Sequence, residues 1–142
     1  MKISTKGRYA LRMMIDIAEN NGGIRSVPVK DISERQGISL KYLEQIVTNL
    51  KRAGLLRSER GAGGGYILAK NPEEYTAGEI LRAIEGRLAP VACLEDDINR
   101  CGRKRDCRTL GFWTGLYKVI DDYADSVTLM DFMEERGLTG TK

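Results

Sequence analysis

The fold is decided by residues 28 to 52, which read PVKDISERQGISLKYLEQIVTNLKR. Pro28 suits the first position of a helix, where its missing N–H is not needed, and Gly37 suits the left-handed residue that ends it. Ser39 then provides a cap for a second helix. The apolar residues of that second helix recur at helical spacing and are Leu40, Leu43, Val47 and Leu50. Two short helices joined in this way predict a helix-turn-helix.

A glycine-rich hairpin follows this motif. Two strand-like runs, at residues 55–59 and 66–69, flank Arg60 and four glycines within five residues. A first helix is predicted over residues 9–19, where apolar side chains again recur at helical spacing. The sequence therefore predicts a mainly α fold with a small β-hairpin, in the order of a winged helix-turn-helix.

The second half of the chain predicts two short helices and a long loop. Thr76 and Glu79 have the spacing of a capping box before a helix over residues 77–86. Residues 88–107 lose all periodicity, and a loop of this length is usually functional or disordered. A short last helix is expected to begin after Thr128.

A long helix is predicted between this loop and the last helix, over about residues 108–125. Its apolar residues alternate in steps of three and four, as in a coiled coil, and are Leu110, Trp113, Tyr117, Ile120 and Ala124. We favour a dimer seam over packing against the chain's own small domain. Residues 1–75 are interpreted as a winged helix-turn-helix DNA-binding domain. Residues 76–142 are interpreted as a sensing loop, at about 88–107, with a long C-terminal dimerisation helix.

The composition excludes several classes of function. The 142-residue chain has no histidine, which removes Ser-His-Asp and Cys-His catalysis, so we predict that it is not an enzyme. No apolar run approaches the roughly 20 residues of a membrane span, and the first residues form no signal region, so we expect a cytoplasmic protein that contacts no membrane. Residues 1–70 carry 13 basic and 6 acidic side chains, against 10 and 14 in residues 71–142. The basic half indicates a polyanionic partner.

The second helix of the helix-turn-helix fits the major groove of DNA, where its N-terminal residues reach base edges. Lys41 and Gln45 can donate hydrogen bonds there. Glu44 can only accept when it is ionised, so it suits a cytosine amino group and acts as a selector. Further side chains are candidates for phosphate contacts, namely Ser4, Thr5, Lys6, Lys51 and Arg52.

In the hairpin, Arg60 suits a narrow minor groove, and Gly63 and Gly64 let the backbone lie close to a phosphate. Taken singly, a polar helix face is more often only solvated, and a glycine-rich turn is more often only a turn. The order of the elements, their spacing and the basic charge together favour DNA binding.

Five segments resemble the Rrf-two (Rrf2) family of bacterial transcription regulators. They are KISTKGRYA at residues 2–10, DISERQGISL at 31–40, YLEQ at 42–45, AGL at 53–55 and RGAGGGY at 60–66. The match covers nearly the whole chain. The resemblance implies a homodimer in which the long helix crosses to the partner, with one winged helix on each half-site of a palindromic operator in double-stranded DNA.

The resemblance also implies roles for particular residues. Arg60 enters the minor groove of DNA. Glu44 restricts which DNA sites are bound when the iron-sulfur cluster that some members carry is absent. The residues on or beside the reading helix are Ser39, Lys41, Tyr42, Glu44 and Gln45.

Three cysteines share the predicted loop, since Cys93, Cys101 and Cys107 are separated by seven and five residues. In a cytosolic protein such clustering favours metal or redox chemistry over disulfides. Iron-sulfur clusters are held chiefly by cysteine thiolates, and the basic residues between Cys101 and Cys107 favour the deprotonated form. The spacing alone leaves unligated thiols and a zinc site open.

The resemblance implies an iron-sulfur cluster of the 2Fe-2S type on these three cysteines, because cluster-binding members place three cysteines in the same loop. The fourth ligand is unknown. Leu110 stands where one group of members has a histidine, and Arg8 stands where another group has an acidic residue. The remaining candidates are Asp96, Asp97, Asp106, a residue of the partner subunit or a small thiol.

We therefore expect a sequence-specific DNA-binding transcriptional regulator whose affinity for DNA is modulated by the cluster. The alternative is a repressor of cysteine and sulfur metabolism that has no cluster and responds to its thiol state or to a partner protein, such as a cysteine-biosynthesis enzyme. A protein-docking winged helix with structural zinc is a further alternative. A thiol redox enzyme is disfavoured because the chain has no Cys-x-x-Cys pair.

Overall fold

The computed structural model describes residues 1–20, 23–61 and 64–135. The elements in these ranges are α1 (Thr5–Glu19), α2 (Val29–Gln36), α3 (Leu40–Arg52), β1 (Leu56–Glu59), β2 (Gly65–Leu68), a 3₁₀ turn (Pro72–Glu74), α4 (Ala77–Glu85), a second 3₁₀ turn (Ala92–Leu94), α5 (Leu110–Ser126) and α6 (Leu129–Glu134). The two strands pair antiparallel, with Leu56 opposite Leu68. The predicted mainly α fold with a small hairpin is confirmed. None of the helices in these ranges is both long enough and apolar enough to cross a bilayer.

Local signals produce the turn between α2 and α3. Gly37 has a φ of 66° and ends α2. The Ser39 hydroxyl accepts a hydrogen bond from the Tyr42 N–H at 3.2 Å and caps α3. Pro28 lies one position before α2 instead of inside it. The predicted helix-turn-helix is therefore formed almost residue for residue.

Two other caps differ from the predicted pattern. α1 begins at residue 5 and not at residue 9, because the Ser4 hydroxyl accepts from the Gly7 N–H at 3.0 Å and caps the helix there. The Thr76 hydroxyl accepts from the Glu79 N–H at 3.1 Å, as predicted. The Glu79 carboxylate instead binds Lys70 Nζ at 2.8 Å. This ion pair connects α4 to the end of the hairpin.

Helices α1, α2, α3, α4 and α6 and the hairpin (β1 and β2) share one hydrophobic core. We call these elements together the winged-helix head. Its largest fully buried side chains are Met13, Met14, Ile17, Ile32, Leu43, Ile46, Leu50, Tyr75, Ile80 and Leu129. Burial of each apolar side chain stabilises the fold by roughly 1.5–3 kcal/mol. Ile80 and Leu129 lie on opposite sides of the cysteine loop (residues 86–109), so the core contains elements that precede the loop and elements that follow it.

An ion pair between a buried carboxylate and a partly exposed guanidinium connects α2 to α1. The Asp16 side chain, in a residue that is 4% exposed, accepts hydrogen bonds from Arg35 Nη2 at 2.7 Å and Arg35 Nε at 3.0 Å. Gln36 Nε2 donates to the same carboxylate at 2.9 Å. The hydrogen bond from Arg35 to Asp16 raises the pKa of the guanidinium, so this group stays charged. The paired geometry sets the angle at which α2 delivers the chain to α3.

α5 is attached to the head near its C-terminal end. Arg82 of α4 donates to the two carboxylate oxygens of Asp125 at 2.8 and 3.0 Å and to Asp121 at 2.8 Å. These hydrogen bonds, with Asp125 first, raise the pKa of Arg82. Gly78 leaves room for this contact, because a Cβ there would lie 2.2 Å from the Asp125 carboxylate and would force that side chain to shift. The ion-pair cluster therefore holds α5 directly against α4.

The rest of α5 is only partly covered. Within the predicted seam Ala124 is buried, and the other four members are half-buried. A second apolar row, which the sequence analysis missed, is exposed by 64% at Phe112, 64% at Val119 and 51% at Tyr123. Its spacing of seven and four residues is also heptad-like and could have revealed it.

Candidate nucleic-acid interface and cysteine loop

α3 has an exposed polar face backed by buried apolar side chains. Lys41, Glu44 and Gln45, which we call the reading face, are all exposed. Leu43 and Leu50 on the other side of the helix are fully buried. The reading face lies in the first two turns of α3, where a helix in the major groove contacts base edges. The helix therefore offers both hydrogen-bond donors and a carboxylate acceptor from a rigid support.

Two residues beside the reading face have unexpected surroundings. Leu40, which was predicted to face the core, is 43% exposed at the start of α3, and Ile46 is buried instead. Tyr42 is half-buried and packs edge-on against Tyr9 of α1, with 5.6 Å between the ring centres. Tyr42 thus braces α3 against α1 as well as bordering the reading face.

The tip of the hairpin has its own reasons for its glycines. Arg60 is exposed directly after β1, and Gly61 has a φ of 118°, a conformation that favours glycine. A Cβ on Gly64 would lie 2.7 Å from the Glu59 carbonyl oxygen, so the hairpin itself needs this glycine. Gly63 lies outside the described residues. Contacts of Arg60, Gly63 and Gly64 with DNA stay predictions.

One predicted phosphate contact is engaged within the chain. The Ser4 N–H donates to the Glu85 carboxylate at 3.1 Å, and the Ser4 hydroxyl donates to the same oxygen. A Cβ on Gly7 would collide with this carboxylate at 2.3 Å. The C-terminal end of α4, where the cysteine loop begins, therefore contacts the N-terminal end of α1.

The cysteine loop separates its three thiols into two clefts. Cys93 and Cys101 line a cleft of about 340 Å³ together with Asp96. Cys107 lines a different cleft of about 300 Å³ together with Asp106. All three thiols are free of disulfides. The structure thus brings two of the predicted ligands to one cleft and leaves the third apart.

The donor set fits a thiolate-ligated group only in part. In the part of the chain that the structure describes, no three cysteine, aspartate or glutamate side chains are grouped closely enough to hold a metal ion. Ligation by all three thiols therefore requires the loop to close. Asp97 is ion-paired with Arg87. Asp96 and Asp106 are the predicted acidic side chains that lie beside the thiols.

Cys107 has a distinct chemical environment. Its Sγ lies 3.5 Å from the Thr109 hydroxyl. This hydrogen bond, followed by the backbone N–H of Thr109 and with smaller effects of the Leu110 N–H and the Arg103 charge, lowers the pKa of the thiol. The basic residues singled out from the sequence contribute less than the threonine. At neutral pH a larger fraction of Cys107 is therefore thiolate than of a cysteine with an ordinary pKa. The thiolate is the nucleophilic and metal-binding form.

The chain is similar to known transcriptional regulators along nearly its whole length. The Rrf2 family model, described as an iron-dependent transcriptional regulator, matches residues 3–135. The HTH-type transcriptional regulator CymR of Bacillus subtilis is 42% identical over 131 residues, which are 92% of this chain and 88% of CymR. The HTH-type transcriptional regulator IscR of Pectobacterium atrosepticum is 38% identical over 136 residues, which are 96% of this chain and 81% of IscR.

Solved structures of two such regulators share the fold. The structure of CymR, described as the global cysteine regulator of B. subtilis, matches with a TM-score of 0.75 and 40% identity, over 95% of this chain and 98% of CymR. The structure of T. potens IscR matches with a TM-score of 0.73 and 38% identity, over 99% of this chain and 94% of IscR. The predicted winged-helix class is confirmed by these matches.

Proposed function

The chain belongs to the Rrf2 family of DNA-binding transcriptional regulators, and from this premise we propose that it binds a palindromic operator as a homodimer under the control of its cysteine loop. It is a regulator and not an enzyme. The observation that carries the proposal is the exposed reading face of α3, backed by fully buried side chains. Because its target is chromosomal DNA, the protein acts in the cytoplasm.

The DNA-binding proposal is tested by charge removal at two places. The probe is a duplex that the wild-type protein selects from a randomised library, and binding is measured at several salt concentrations. Lys41→Ala is expected to weaken binding by about 1–3 kcal/mol, because Lys41 donates to DNA from the reading face. Lys118→Ala removes the same charge from the exposed surface of α5, where the side chain is 73% exposed, and is the matched control.

The salt series provides a second measure. A protein that contacts several phosphates loses affinity with a log–log slope of about −0.9 for each contact. Equal losses in the two lysine variants, or binding that does not depend on salt, would contradict the proposal.

Glu44 is proposed as the selector within the reading face. Its ionised carboxylate accepts hydrogen bonds and repels other acceptors, so it restricts the bases opposite it. Glu44→Ala is expected to broaden the set of duplexes recovered in the same selection, at one fixed salt concentration. An unchanged preference would remove this role and leave general DNA binding intact.

The homodimer is proposed on the apolar surface of α5. Contiguous exposed apolar surface of this kind is typical of protein–protein interaction sites. Val119→Glu, which places a charge where the valine is 64% exposed, is expected to shift the protein to monomer mass in sedimentation analysis. Ile24→Glu, at an isoleucine of the head that is 84% exposed, is the control and should leave the dimer intact. A wild-type protein that sediments as a monomer would overturn the dimer.

For the cysteine loop we propose an iron-sulfur cluster of the 2Fe-2S type, with Cys93, Cys101 and Cys107 as ligands. Three free thiols in one loop, two of them in one cleft, support it, as do the resemblance to cluster-binding members and the family description as iron-dependent. A bound cluster supplies an iron- and redox-responsive group. Asp96 is the candidate fourth ligand because it lines the cleft of Cys93 and Cys101. Closure of the loop would act on α4 and α5, which lie at its two ends.

Anaerobic purification tests the cluster. The wild-type protein is expected to absorb visible light and to contain iron and sulfide, and single Cys→Ala changes at the three positions should abolish the absorption. Asp96→Asn should alter the spectrum, whereas Asp97→Asn, whose carboxylate is ion-paired with Arg87, is the control. A wild-type protein that stays colourless after reconstitution with iron and sulfide would contradict the cluster.

The alternative is control by thiol state or by a partner protein, without a cluster. The lowered pKa of Cys107 and the separation of the thiols into two clefts favour it, as does the similarity to the regulator described as the global cysteine regulator. In this case the protein acts as a repressor in cysteine and sulfur metabolism. DNA affinity should then change with thiol oxidation, or with a cysteine-biosynthesis enzyme as partner, in protein that contains no iron.

A further inference from the structure

The hairpin has little burial of its own to hold it in place. Each strand has four residues, and the fully buried side chains are Leu56 in β1 and Leu68 in β2, which face each other across the pair. A two-stranded hairpin of this size is marginal in water on its own. Its position on the head must therefore be fixed by contacts with neighbouring segments.

The base of the hairpin is tied by one buried hydroxyl. Tyr75 is 0% exposed, and its hydroxyl donates to the Leu55 carbonyl oxygen at 2.7 Å. The Tyr75 hydroxyl oxygen in turn accepts from the Ala69 N–H at 2.8 Å and from the Lys70 N–H at 3.3 Å. One donor and two lone pairs are all that a phenol offers, so the group is fully used. It links the residue before β1 to the two residues after β2.

The other edge of β2 is also held. The Val27 N–H donates to the Tyr66 carbonyl oxygen at 2.8 Å, and the Tyr66 N–H donates to the Val27 carbonyl oxygen at 3.0 Å. This edge contact lies one residue pair from the tip, because Tyr66 pairs with Ser58, and it leaves the base of the hairpin to Tyr75. Burial raises the pKa of the Tyr75 phenol, so the hydroxyl keeps the proton that it donates.

The hairpin acts as a lever for its tip. If the base is released, the hairpin pivots at the Val27–Tyr66 contact. Arg60 lies two residues beyond Ser58, the partner of Tyr66, which at about 3.3 Å per residue is about 7 Å, so a tilt of about 20° moves Arg60 by about 2 Å. A displacement of this size is enough to break a hydrogen bond.

We propose that Tyr75 is a positioning residue for DNA binding, because its buried hydroxyl fixes the hairpin at the angle that delivers Arg60 to the DNA. The proposal rests on the proposed function, in which Arg60 contacts the minor groove. Tyr75 itself touches no DNA in this scheme and acts only through the hairpin.

A double-mutant cycle tests the proposal with the full-length protein and the duplex selected by wild type. Arg60→Ala is expected to weaken binding about tenfold, and Tyr75→Phe about fivefold. In the double variant the loss should be that of Arg60→Ala alone, within about twofold, because the displaced arginine is already absent. Additive losses would overturn the positioning role, as would an Arg60→Ala protein that binds like wild type.

Footprinting separates positioning from a general loss of structure. Tyr75→Phe should lose hydroxyl-radical protection in the minor groove at the hairpin, and keep protection of guanine N7 in the major groove under α3. Loss of both footprints together would contradict the inference. Thr114→Val, which removes a hydroxyl from an exposed residue of α5 outside both apolar rows, is the control. If wild type binds no duplex at all, the proposed function fails first, and the two failures are thereby distinguished.

A second variant covers the case in which Tyr75→Phe does not fold. Replacement of Tyr75 by 3-fluorotyrosine keeps the ring and the hydroxyl and weakens the oxygen as an acceptor from Ala69 and Lys70. The expected result is a smaller loss of affinity that disappears in the Arg60→Ala background. A loss of equal size in that background would overturn the proposal.

Discussion

The winged-helix head and the cysteine loop differ in how far their side chains are buried and hydrogen-bonded. In the head, each reading side chain stands on an element whose other side is buried, and polar groups such as Asp16 and Tyr75 are matched by several hydrogen bonds. In the loop, residues 95–98 are all exposed and the thiols lie in two shallow clefts. The head therefore presents a preformed surface, whereas ligation of one group by all three thiols would require the loop to change conformation.

Under the proposed function, this difference would let one small chain combine DNA recognition with sensing. A stable head keeps the geometry of the reading face constant under all conditions. A loop with few buried contacts can change conformation at little cost, which is the general property of regions that respond to ligands. The following experiments compare the stability or reactivity of matched variants, in which one residue is well packed or hydrogen-bonded and the other is exposed.

The largest effect is expected from equal truncations in the two regions. Leu43→Ala removes a fully buried side chain behind the reading face and should lower the free energy of unfolding by about 2–5 kcal/mol. Leu94→Ala, at a half-buried leucine of the loop, should cost less than about 1 kcal/mol. Urea unfolding with both variants measures the difference. Similar costs would mean that the loop is packed as firmly as the head.

Added methyl groups give the next largest effect. Gly65→Ala should cost about 1–3 kcal/mol or shift the hairpin, because a Cβ there would lie 2.1 Å from the Val27 carbonyl oxygen. Gly102→Ala, at a loop glycine with no atom within 4 Å of a Cβ, should stay within about 0.5 kcal/mol of wild type. Thermal unfolding monitored by circular dichroism gives both values. A neutral Gly65→Ala would show that the edge contact with Val27 is dispensable.

A smaller, pH-dependent effect is expected where α5 meets the head. The hydrogen bond from Arg82 lowers the pKa of Asp125. A carboxylate with a lowered pKa stabilises the fold above the unfolded value of about 3.9, and this contribution is lost as the pH falls through the folded value. Asp125→Asn should therefore cost below about 1 kcal/mol at pH 7, since the pair is partly exposed, and cost nothing in strong acid.

Asp122→Asn is the control for this measurement. Asp122 is paired with Lys118 on the open surface of α5, where both side chains are more than half exposed. Its contribution should be about 0.5 kcal/mol or less. Unfolding curves at several pH values that are the same for the two variants would remove any special role of the Arg82 cluster.

The smallest effect concerns reactivity within the loop. Cys107 should be alkylated by iodoacetamide several-fold faster than Cys101 near pH 8, because the Thr109 hydroxyl lowers the pKa of its thiol. Thr109→Val should remove much of this advantage and leave Cys101 unchanged. Peptide mass spectrometry reads the two sites in one sample. Equal rates in wild type would show that the hydrogen bond has no chemical consequence.

Whether an interaction could be predicted from the sequence depends on how far apart along the chain its two residues lie. Ser39 and Gly37 act on atoms within three or four residues, so the helix-turn-helix could be predicted from local chemistry alone. Tyr75 reaches Leu55 across 20 residues, and Ser4 meets Glu85 across 81. No periodicity signals such contacts. They depend on where the whole chain brings its segments together.

The same reasoning applies to the candidate site. The exposed reading face could be predicted because the apolar side of α3 repeats at helical spacing. The separation of the three cysteines into two clefts could not, because loop residues 86–109 have no repeat that fixes their side chains. The glycine-rich turn could be recognised from the sequence, and Gly64 was assigned to DNA contact. That Gly64 and Gly65 lie against backbone carbonyl groups of the chain itself could not be predicted.

The path of the chain through the core has a practical consequence for protein engineering. Ile80 and Leu129 are both fully buried in the head, so residues 86–126 form a cassette that leaves one core element and returns to another. Exchange of such a cassette for that of another family member has to keep Asp121 and Asp125, because both bind Arg82 of α4. A chimaera of this kind would combine the operator of one regulator with the signal of another.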